Sequence, residues 1–302
     1  MTAALGELSE TAYARRPDHS SLLWSEQGFV FEISSDDEEL LEMARRVFSG
    51  LSPAVGGSAT RSWTIERADD DQWVVSGSSE TSSMIPVRAE SRETAILYLE
   101  YDSLEWLLHN CRETIVVHAA LLAKNGKGVV IVGPSFAGKS TLATALWRNG
   151  WSLMSDDLVF IDTPTSTAVP APRRVSLRSG SRELVGESAW NEFSQTPSCV
   201  KSNKGLFFHP HEVTGKQKEK MTALSAIFFL ARIDIVVGPA EVRSINPAKG
   251  ALSLLPYAFN VRTLPFVEGL RRITPLLDEV PAYDIGRGDL AEMVSAVEAT
   301  IG

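Results

Sequence analysis

Gly133-Pro134-Ser135-Phe136-Ala137-Gly138-Lys139-Ser140-Thr141 is the stretch whose reading decides the fold. It satisfies G-x-x-x-x-G-K-[ST] at every fixed position, and its flanks are those the pattern requires. Before it, Val129-Val130-Ile131-Val132 reads as a buried strand. After it, Ser140 to Asn149 reads as a helix, with Leu142, Ala145 and Leu146 on one face and Gly150 placed to end it. The chemistry explains the arrangement. Glycines let backbone N–H groups turn inward around phosphate oxygens, and the helix N-terminus adds partial positive charge. Lys139 supplies a full charge for the β- and γ-phosphates, and the Ser140 hydroxyl is suited to Mg²⁺. The expected ligand of Gly133 to Thr141 is a nucleotide or another polyphosphate.

The residues that follow select a subtype. Trp151-Ser152-Leu153-Met154-Ser155-Asp156-Asp157-Leu158-Val159-Phe160-Ile161-Asp162 reads as a strand carrying two adjacent carboxylates, one short helix after the loop. Neighbouring side chains on a strand point to opposite faces, so the two aspartates divide their work unless the strand ends or bends there. One then faces a metal and the other an attacking hydroxyl. The competing reading of Asp156-Asp157 is a solvated turn. Upstream, Ile115-Val116-Val117-His118-Ala119-Ala120-Leu121-Leu122 is a second buried-strand candidate. Its histidine reads either as a site residue or as a satisfied core residue.

Taken together, VHAALL, GPSFAGKS, TLATALWRNGW and SLMSDDLVFID resemble, in order and spacing, the catalytic domain of the HPr kinase/phosphorylase family. The likeness runs from about His118 to Asp162. It implies an α/β fold with a phosphate-loop core of the HPr kinase type. It also implies a kinase that uses ATP and Mg²⁺ to phosphorylate a serine-type hydroxyl. By the same resemblance, Lys139 binds the β/γ-phosphates, Ser140 and Asp157 hold the metal, Asp156 is the general base, and His118 lies beside the transferring phosphate and tunes Asp156. Phosphoryl transfer is mostly positioning and charge neutralisation, which suits these residue types.

Composition sets the wider frame. The 302 residues suffice for one large or two ordinary domains, with 44% hydrophobic and 22% charged residues as in an ordinary globular protein. A net charge of −9 argues against nucleic acid as partner. Neither Cys111 nor Cys199 stands in a C-x-x-C or zinc-type spacing, in keeping with a reduced, cytoplasmic setting. MTAALGELSETAYARR has no apolar core of a signal peptide, and the longest apolar stretch, Ala223 to Val237, is broken by Arg232 and Asp234. No membrane association is therefore expected.

Residues 1–112 read as a smaller α+β module that selects substrate, and 113–302 as the catalytic domain. In the first part, Gly28 to Ile33 is a strand candidate. Ser35-Asp36-Asp37-Glu38 reads as a capping box for a helix closed by Gly50. Strands near Ser62 to Glu66 and Gln72 to Ser76 flank Asp69-Asp70-Asp71 as a hairpin, and Ser91 to His109 reads as a long helix. In the second part, Arg173-Arg174-Val175-Ser176-Leu177-Arg178 offers arginines suited to clamping phosphate. Gly180 to His211 reads as a mobile loop over the acceptor site, and His209-Pro210-His211 as a surface turn. Leu224 to Ile235 is an apolar, central strand candidate. Pro247 to Leu255 and Asn260 to Ile273 are helix candidates, Arg271-Arg272 sitting near the end of the second. Arg243, Arg271 and Arg272 are all candidates to touch phosphate. Pro281 to Ile285 reads as a late strand, and Asp289 caps a final helix through Ile301.

The N-terminal residues do not match the regulatory domain of HPr-phosphorylating members. That argues against HPr itself as the substrate; some relatives of this shape act on peptides in natural-product pathways, and by that analogy the resemblance implies as acceptor a serine of a peptide or small protein, a ribosomally made natural-product precursor included. The alternatives are a small-molecule hydroxyl, with the reverse phosphorylase reaction open at the same site, or a nucleotide-binding regulator without efficient transfer. Self-association to a homo-oligomer stays open.

Overall fold

The computed structural model describes residues 20–26, 28–49, 51–54, 58–79, 83–171, 174–202, 205–214, 220–230, 240–286 and 288–302. Gly50, the Gly56-Gly57 pair, Arg173, Lys204, Arg232 and Asp234 lie outside them. The chain divides into two compact units between Ser103 and Leu104.

In the first unit, β1 (Ser20–Glu26), β2 (Phe29–Ser35), α1 (Glu38–Val47), β3 (Ser52–Pro53), β4 (Arg61–Arg67), β5 (Trp73–Ser79) and β6 (Val87–Ala89) precede α2 (Arg92–Asn110), in which the division falls. The strands form one sheet in the order β3-β1-β2-β4-β5-β6. All neighbours are antiparallel except β2 and β4, whose parallel pairing requires the crossover that α1 provides. Alternation in β2, β4 and β5 puts Phe31, Ile33, Trp63, Ile65, Trp73 and Val75 on the buried face. Leu40, Leu41, Ala44 and Val47 are the buried residues of α1. The helix begins two residues later than the capping-box reading requires. Ser35 is held in β2 by donating to the Ile65 carbonyl at 2.7 Å, and Asp37 caps instead, accepting from Leu40 N–H at 2.9 Å. Beneath the sheet, Asp102 accepts from Arg61 Nη2 and from Trp63 Nε1, both at 2.7 Å.

The second unit holds β7 (Ile115–Lys124), β8 (Lys127–Val132), α3 (Lys139–Arg148), β9 (Ser152–Ser155), β10 (Leu158–Asp162), β11 (Thr167–Pro170) and β12 (Val175–Arg178). It continues with α4 (Arg182–Val185), α5 (Glu187–Phe193), β13 (Val200–Ser202), β14 (Gly205–Phe208), α6 (Pro210–Thr214), β15 (Thr222–Leu230) and β16 (Val242–Ile245). It ends with α7 (Pro247–Leu254), α8 (Phe266–Glu279), β17 (Ala282–Ile285) and α9 (Leu290–Ile301). The main sheet runs β11-β10-β7-β8-β15-β17-β16, with β9 beside β7. β8, β15 and β17 are parallel, as their crossover connections dictate. Successive residues of β8 serve opposite faces. Val129 and Ile131 pack with α3, α5 and α9, while Val130 and Val132 pack with α7 and α8. The sheet is thus covered on both sides, which is why β7, β8 and β15 are apolar almost throughout.

Three expectations change here. The segment from Gly180 to His211 is largely regular structure rather than a mobile loop. Ala189, Trp190, Phe193, Leu206 and Phe208 are buried in the core shared with α3, and β12-β14-β13 form a small sheet. His209 is buried rather than on a surface turn, with its backbone N–H on Ser198 Oγ. The helix expected from Asn260 starts instead at Phe266, after Pro265, and runs on through Pro275. Asn260 is diverted: its side chain accepts from Val116 N–H and donates to the Cys111 and Thr114 carbonyls. Arg271 and Arg272 consequently lie in mid-helix.

Candidate active site

The loop from Gly133 to Gly138 joins the C-terminal end of β8 to the first turn of α3, the place where open α/β sheets bind ligands. Gly138 is the N-cap of α3 and takes φ 96°, ψ 14°, a left-handed conformation that glycine alone adopts without cost. Gly133 is set close to β15, where a Cβ would come within 3.1 Å of Leu230 Cβ. Phe136 also has positive φ (68°) and projects its ring into solvent, 69% exposed, with Arg178 Cζ 4.1 Å above it. Ser135 is exposed beside it, Pro134, Ser140 and Thr141 are half-buried, and Ala137 is buried. Thr141 Oγ1 lies 3.3 Å from Ser181 Oγ.

Lys139 is only 7% exposed and turns back over the loop, donating from Nζ to the carbonyls of Gly133 at 2.9 Å and Pro134 at 3.3 Å. Burial pushes its pKa below the usual lysine value. The negative charges of Asp157 and Asp156 resist that shift, and the Arg178 charge adds to it. The two aspartates therefore act electrostatically on the loop lysine across the site.

Asp156 and Asp157 occupy the break between β9 and β10, so neither belongs to a continuous strand. The bend sends them to different partners. Asp156 is buried, its Oδ2 accepting from the Ser176 N–H at 2.7 Å. Asp157 turns toward β7, where its carbonyl accepts from Ala119 N–H and its Oδ1 lies 3.1 Å from His118 Nε2. His118 thus pairs with Asp157, not with Asp156. The antiparallel register that sets Leu158 opposite His118 brings Asp157 within reach of the imidazole. The other face of His118 stacks on Phe259, 5.6 Å between centroids, and Arg262 Cζ lies 4.3 Å from that ring. Phe259 is fixed by its N–H on the Val116 carbonyl.

The arginines sort themselves by position. Arg178 is at the loop, whereas Arg174 is 1% exposed and donates to the Ser198 carbonyl. Arg243 pairs with Glu241, Arg271 with Glu268, and Arg272 donates to the Arg112 carbonyl. Arg262, which sequence reading passed over, is the one that stands beside the His118 stack. Its only signal is the aromatic-Asn-x-Arg run Phe259 to Arg262, which straddles the start of the helix candidate.

No family model matches this chain. No curated protein matches it either. Among solved structures it is similar to the HPr(Ser) kinase/phosphatase of Coxiella burnetii, with 13% identity and a TM-score of 0.33 over 61% of this chain and 89% of that one. The chain has a mixed α/β architecture. No helix of the described residues is long and apolar enough to cross a membrane.

Among the described residues, no group of three or more His, Cys, Asp or Glu side chains is gathered to hold an ion. A metal at this site would instead share its coordination with phosphate oxygens, as Mg²⁺ does when one or two carboxylates suffice. The Ser140 hydroxyl and the Asp157 carboxylate are hard oxygen donors of the right kind.

Proposed function

We propose that this protein is an ATP- and Mg²⁺-dependent kinase that passes the γ-phosphoryl group to a serine-type hydroxyl, with a peptide or small protein as favoured acceptor. The observation that carries this reading is the grouping of Lys139, Asp156, Asp157 and His118 around one strand-loop-helix turn. A loop and a lysine are enough for a binding protein. Two carboxylates whose charges reach that lysine suit transfer to a hydroxyl, which needs one group to hold the metal and one to orient the nucleophile.

In this reading the loop N–H groups and Lys139 hold the phosphates, Lys139 exchanging the Gly133 and Pro134 carbonyls for phosphate oxygens. Ser140 and Asp157 would hold Mg²⁺, which supplies charge neutralisation on the phosphates when bound. Asp156, oriented by the Ser176 N–H, accepts the proton of the acceptor hydroxyl. Arg178 adds positive charge beside the loop, and His118 orients the Asp157 carboxylate.

The His118–Asp157 contact also favours a second reading, in which Asp157 is the proton acceptor and Asp156 is a structural anchor for β12. Transfer assays across a Mg²⁺ titration separate them. The variant that loses a metal ligand recovers at high Mg²⁺, and the variant that loses the base does not. The function as a whole is tested by adding γ-labelled ATP and Mg²⁺ to a native cell extract, with wild type beside Lys139→Ala and Asp156→Asn. One labelled peptide or protein seen with wild type alone supports the kinase. Tight ATP binding with no label sinks it in favour of a regulator or a small-molecule acceptor.

A further inference from the structure

At Gly133 the chain leaves β8 for the phosphate loop, and the place beside β7 that β8 gives up is taken by a turn from far along the chain. Ala119 pairs with Val132, the last residue of β8, whereas Val117 bridges to Ala258. The next residue, Phe259, donates its N–H to the Val116 carbonyl at 2.8 Å. Asn260 ties the turn to the β7 entry, accepting from Val116 N–H at 2.9 Å and donating to the Cys111 and Thr114 carbonyls, both at 2.8 Å. Arg262 N–H closes the turn on the Ala258 carbonyl at 2.8 Å. Residues 258–262 are therefore fixed to the strand that carries His118. The result is a row of side chains, half-buried at His118 and Phe259 and exposed at Arg262. The imidazole meets Asp157 Oδ1 through Nε2 and stacks its face on the Phe259 ring, and the Arg262 guanidinium lies over that ring. Arg243 and Arg271 pair with Glu241 and Glu268, but Arg262 meets no carboxylate among the described residues. A guanidinium held by stacking and given no counter-charge is suited to a carboxylate from outside, which its planar fork matches. The donor phosphates, on the proposed reading, are served by the loop N–H groups, Lys139 and Arg178, which leaves Arg262 for the acceptor.

We infer that Arg262 is a specificity-determining residue for the acceptor: it pairs with an acidic side chain carried close to the hydroxyl that is phosphorylated. The inference rests on the proposed kinase reading and narrows its substrate class to serines with Asp or Glu nearby. The geometry sets the spacing. The guanidinium carbon is 4.3 Å from the Phe259 ring centre, which is 5.6 Å from the imidazole centre. Arg262 therefore lies within about 10 Å of His118, a span that an extended chain covers in about three residues. The acidic residue accordingly stands within about three positions of the serine. Phe259 is a positioning residue, because one ring supports both the guanidinium and the imidazole.

The probes are peptides with one central serine in an alanine-glycine background, acetylated and amidated at their ends. Each carries Asp, or Asn as its neutral twin, at one of the three positions on either side. Transfer from γ-labelled ATP with Mg²⁺ is measured as kcat/KM on the full chain, beside ATP affinity by calorimetry. Wild type is expected to prefer an Asp peptide over its Asn twin about five-fold at one or more positions, as an exposed charge pair gives at its upper range. The preference should fade as salt is raised. Arg262→Ala should bring the two peptides level with ATP affinity kept. Arg262→Glu should turn the preference toward a Lys peptide, an inversion that a loss of fold cannot produce. An Asp preference that survives Arg262→Ala overturns the inference, and so does wild-type transfer with no preference at any position. A fall in ATP affinity in Arg262→Ala would set the guanidinium on the donor phosphates and overturn it as well. Those three outcomes leave the kinase reading standing. Wild type that binds ATP yet labels none of the peptides would count against both the favoured peptide acceptor and this inference.

Discussion

Gly138→Ala isolates what the left-handed turn at the head of α3 contributes. A Cβ built at Gly138 meets nothing within 4 Å, so the substitution carries no steric charge and its cost is the backbone term alone. An L-residue held near φ 96° costs about 1–2 kcal/mol. Gly150, at the other end of the same helix, is a matched control: it has φ 90° and also nothing within 4 Å of a built Cβ. Gly150→Ala should therefore lose the same stability. For a unit the size of residues 104–302, each variant should lower Tm by about 2–8 °C in a calorimetric melt. Their ligand binding should differ. The strain can be counted only once: whatever part the free loop relieves by leaving the left-handed region is lost from ATP affinity instead, up to roughly 5- to 30-fold, and the Tm loss of Gly138→Ala then falls below that of Gly150→Ala by the same energy. Gly150→Ala should leave that affinity unchanged. Equal loss of ATP binding in the two variants would refute the assignment of the loop as the phosphate site. A stability loss in Gly138→Ala well beyond that of Gly150→Ala would refute the claim that its cost is conformational only.

Lys139→Met should abolish triphosphate binding and also remove a pH dependence of stability. A buried lysine with a depressed pKa binds fewer protons folded than unfolded, so wild-type stability rises as pH climbs from the folded value toward the unfolded one near 10.5. That alkaline rise should be absent from urea titrations of the variant; an identical pH profile would contradict the burial of the charge. Asp156→Asn should lower phosphoryl transfer about 10²- to 10⁴-fold with ATP affinity kept, measured by label transfer and calorimetry. Asp102→Ala should destabilise the first unit by about 3–5 kcal/mol in urea, because Arg61, 3% exposed, loses its carboxylate partner. A loss under about 1 kcal/mol would show that water replaces the carboxylate, as at surface pairs.

The local elements were legible where one period and one stop signal agree. The strand before the loop, α3 with Gly150 behind it, the β4–β5 hairpin about Asp69-Asp70-Asp71, and the Asp289 cap of α9 all show in the sequence. Long-range demands hid the rest. Ser35 looks like a cap until β4 claims its hydroxyl, and Asn260 looks like a helix start until three backbone groups of the β7 entry claim its amide. The site was legible as a set of residue types but not as a set of pairs. No spacing rule says that His118 meets Asp157 rather than Asp156, because antiparallel register and a two-residue strand break decide it. The row from His118 through Phe259 to Arg262 was invisible for the same reason. Its parts come from segments far apart in the chain, and each part alone reads as ordinary core or surface.

The resting loop already holds its own lysine, and this bears on selectivity. Lys139 is satisfied by two carbonyls of the loop it serves, and it is buried. A ligand must therefore offer more than the roughly 1.5–3 kcal/mol that each charge-assisted contact contributes in the resting loop. A single weakly charged oxygen cannot do so. The adjacent oxygens of a polyphosphate can, because they engage the lysine and the N–H groups at the head of α3 together. Asp156 and Asp157 sharpen the threshold by repelling any anion that arrives without enough positive charge around it, whether from Arg178 or, in the proposed kinase, from a divalent cation that Ser140 and Asp157 would hold. The same carboxylates on which the kinase proposal relies would thus make the site reject simple anions. Sulfate or acetate should consequently compete far more weakly with ATP than triphosphate does, and comparable competition would mean that the loop lysine is not held as its two carbonyl contacts require.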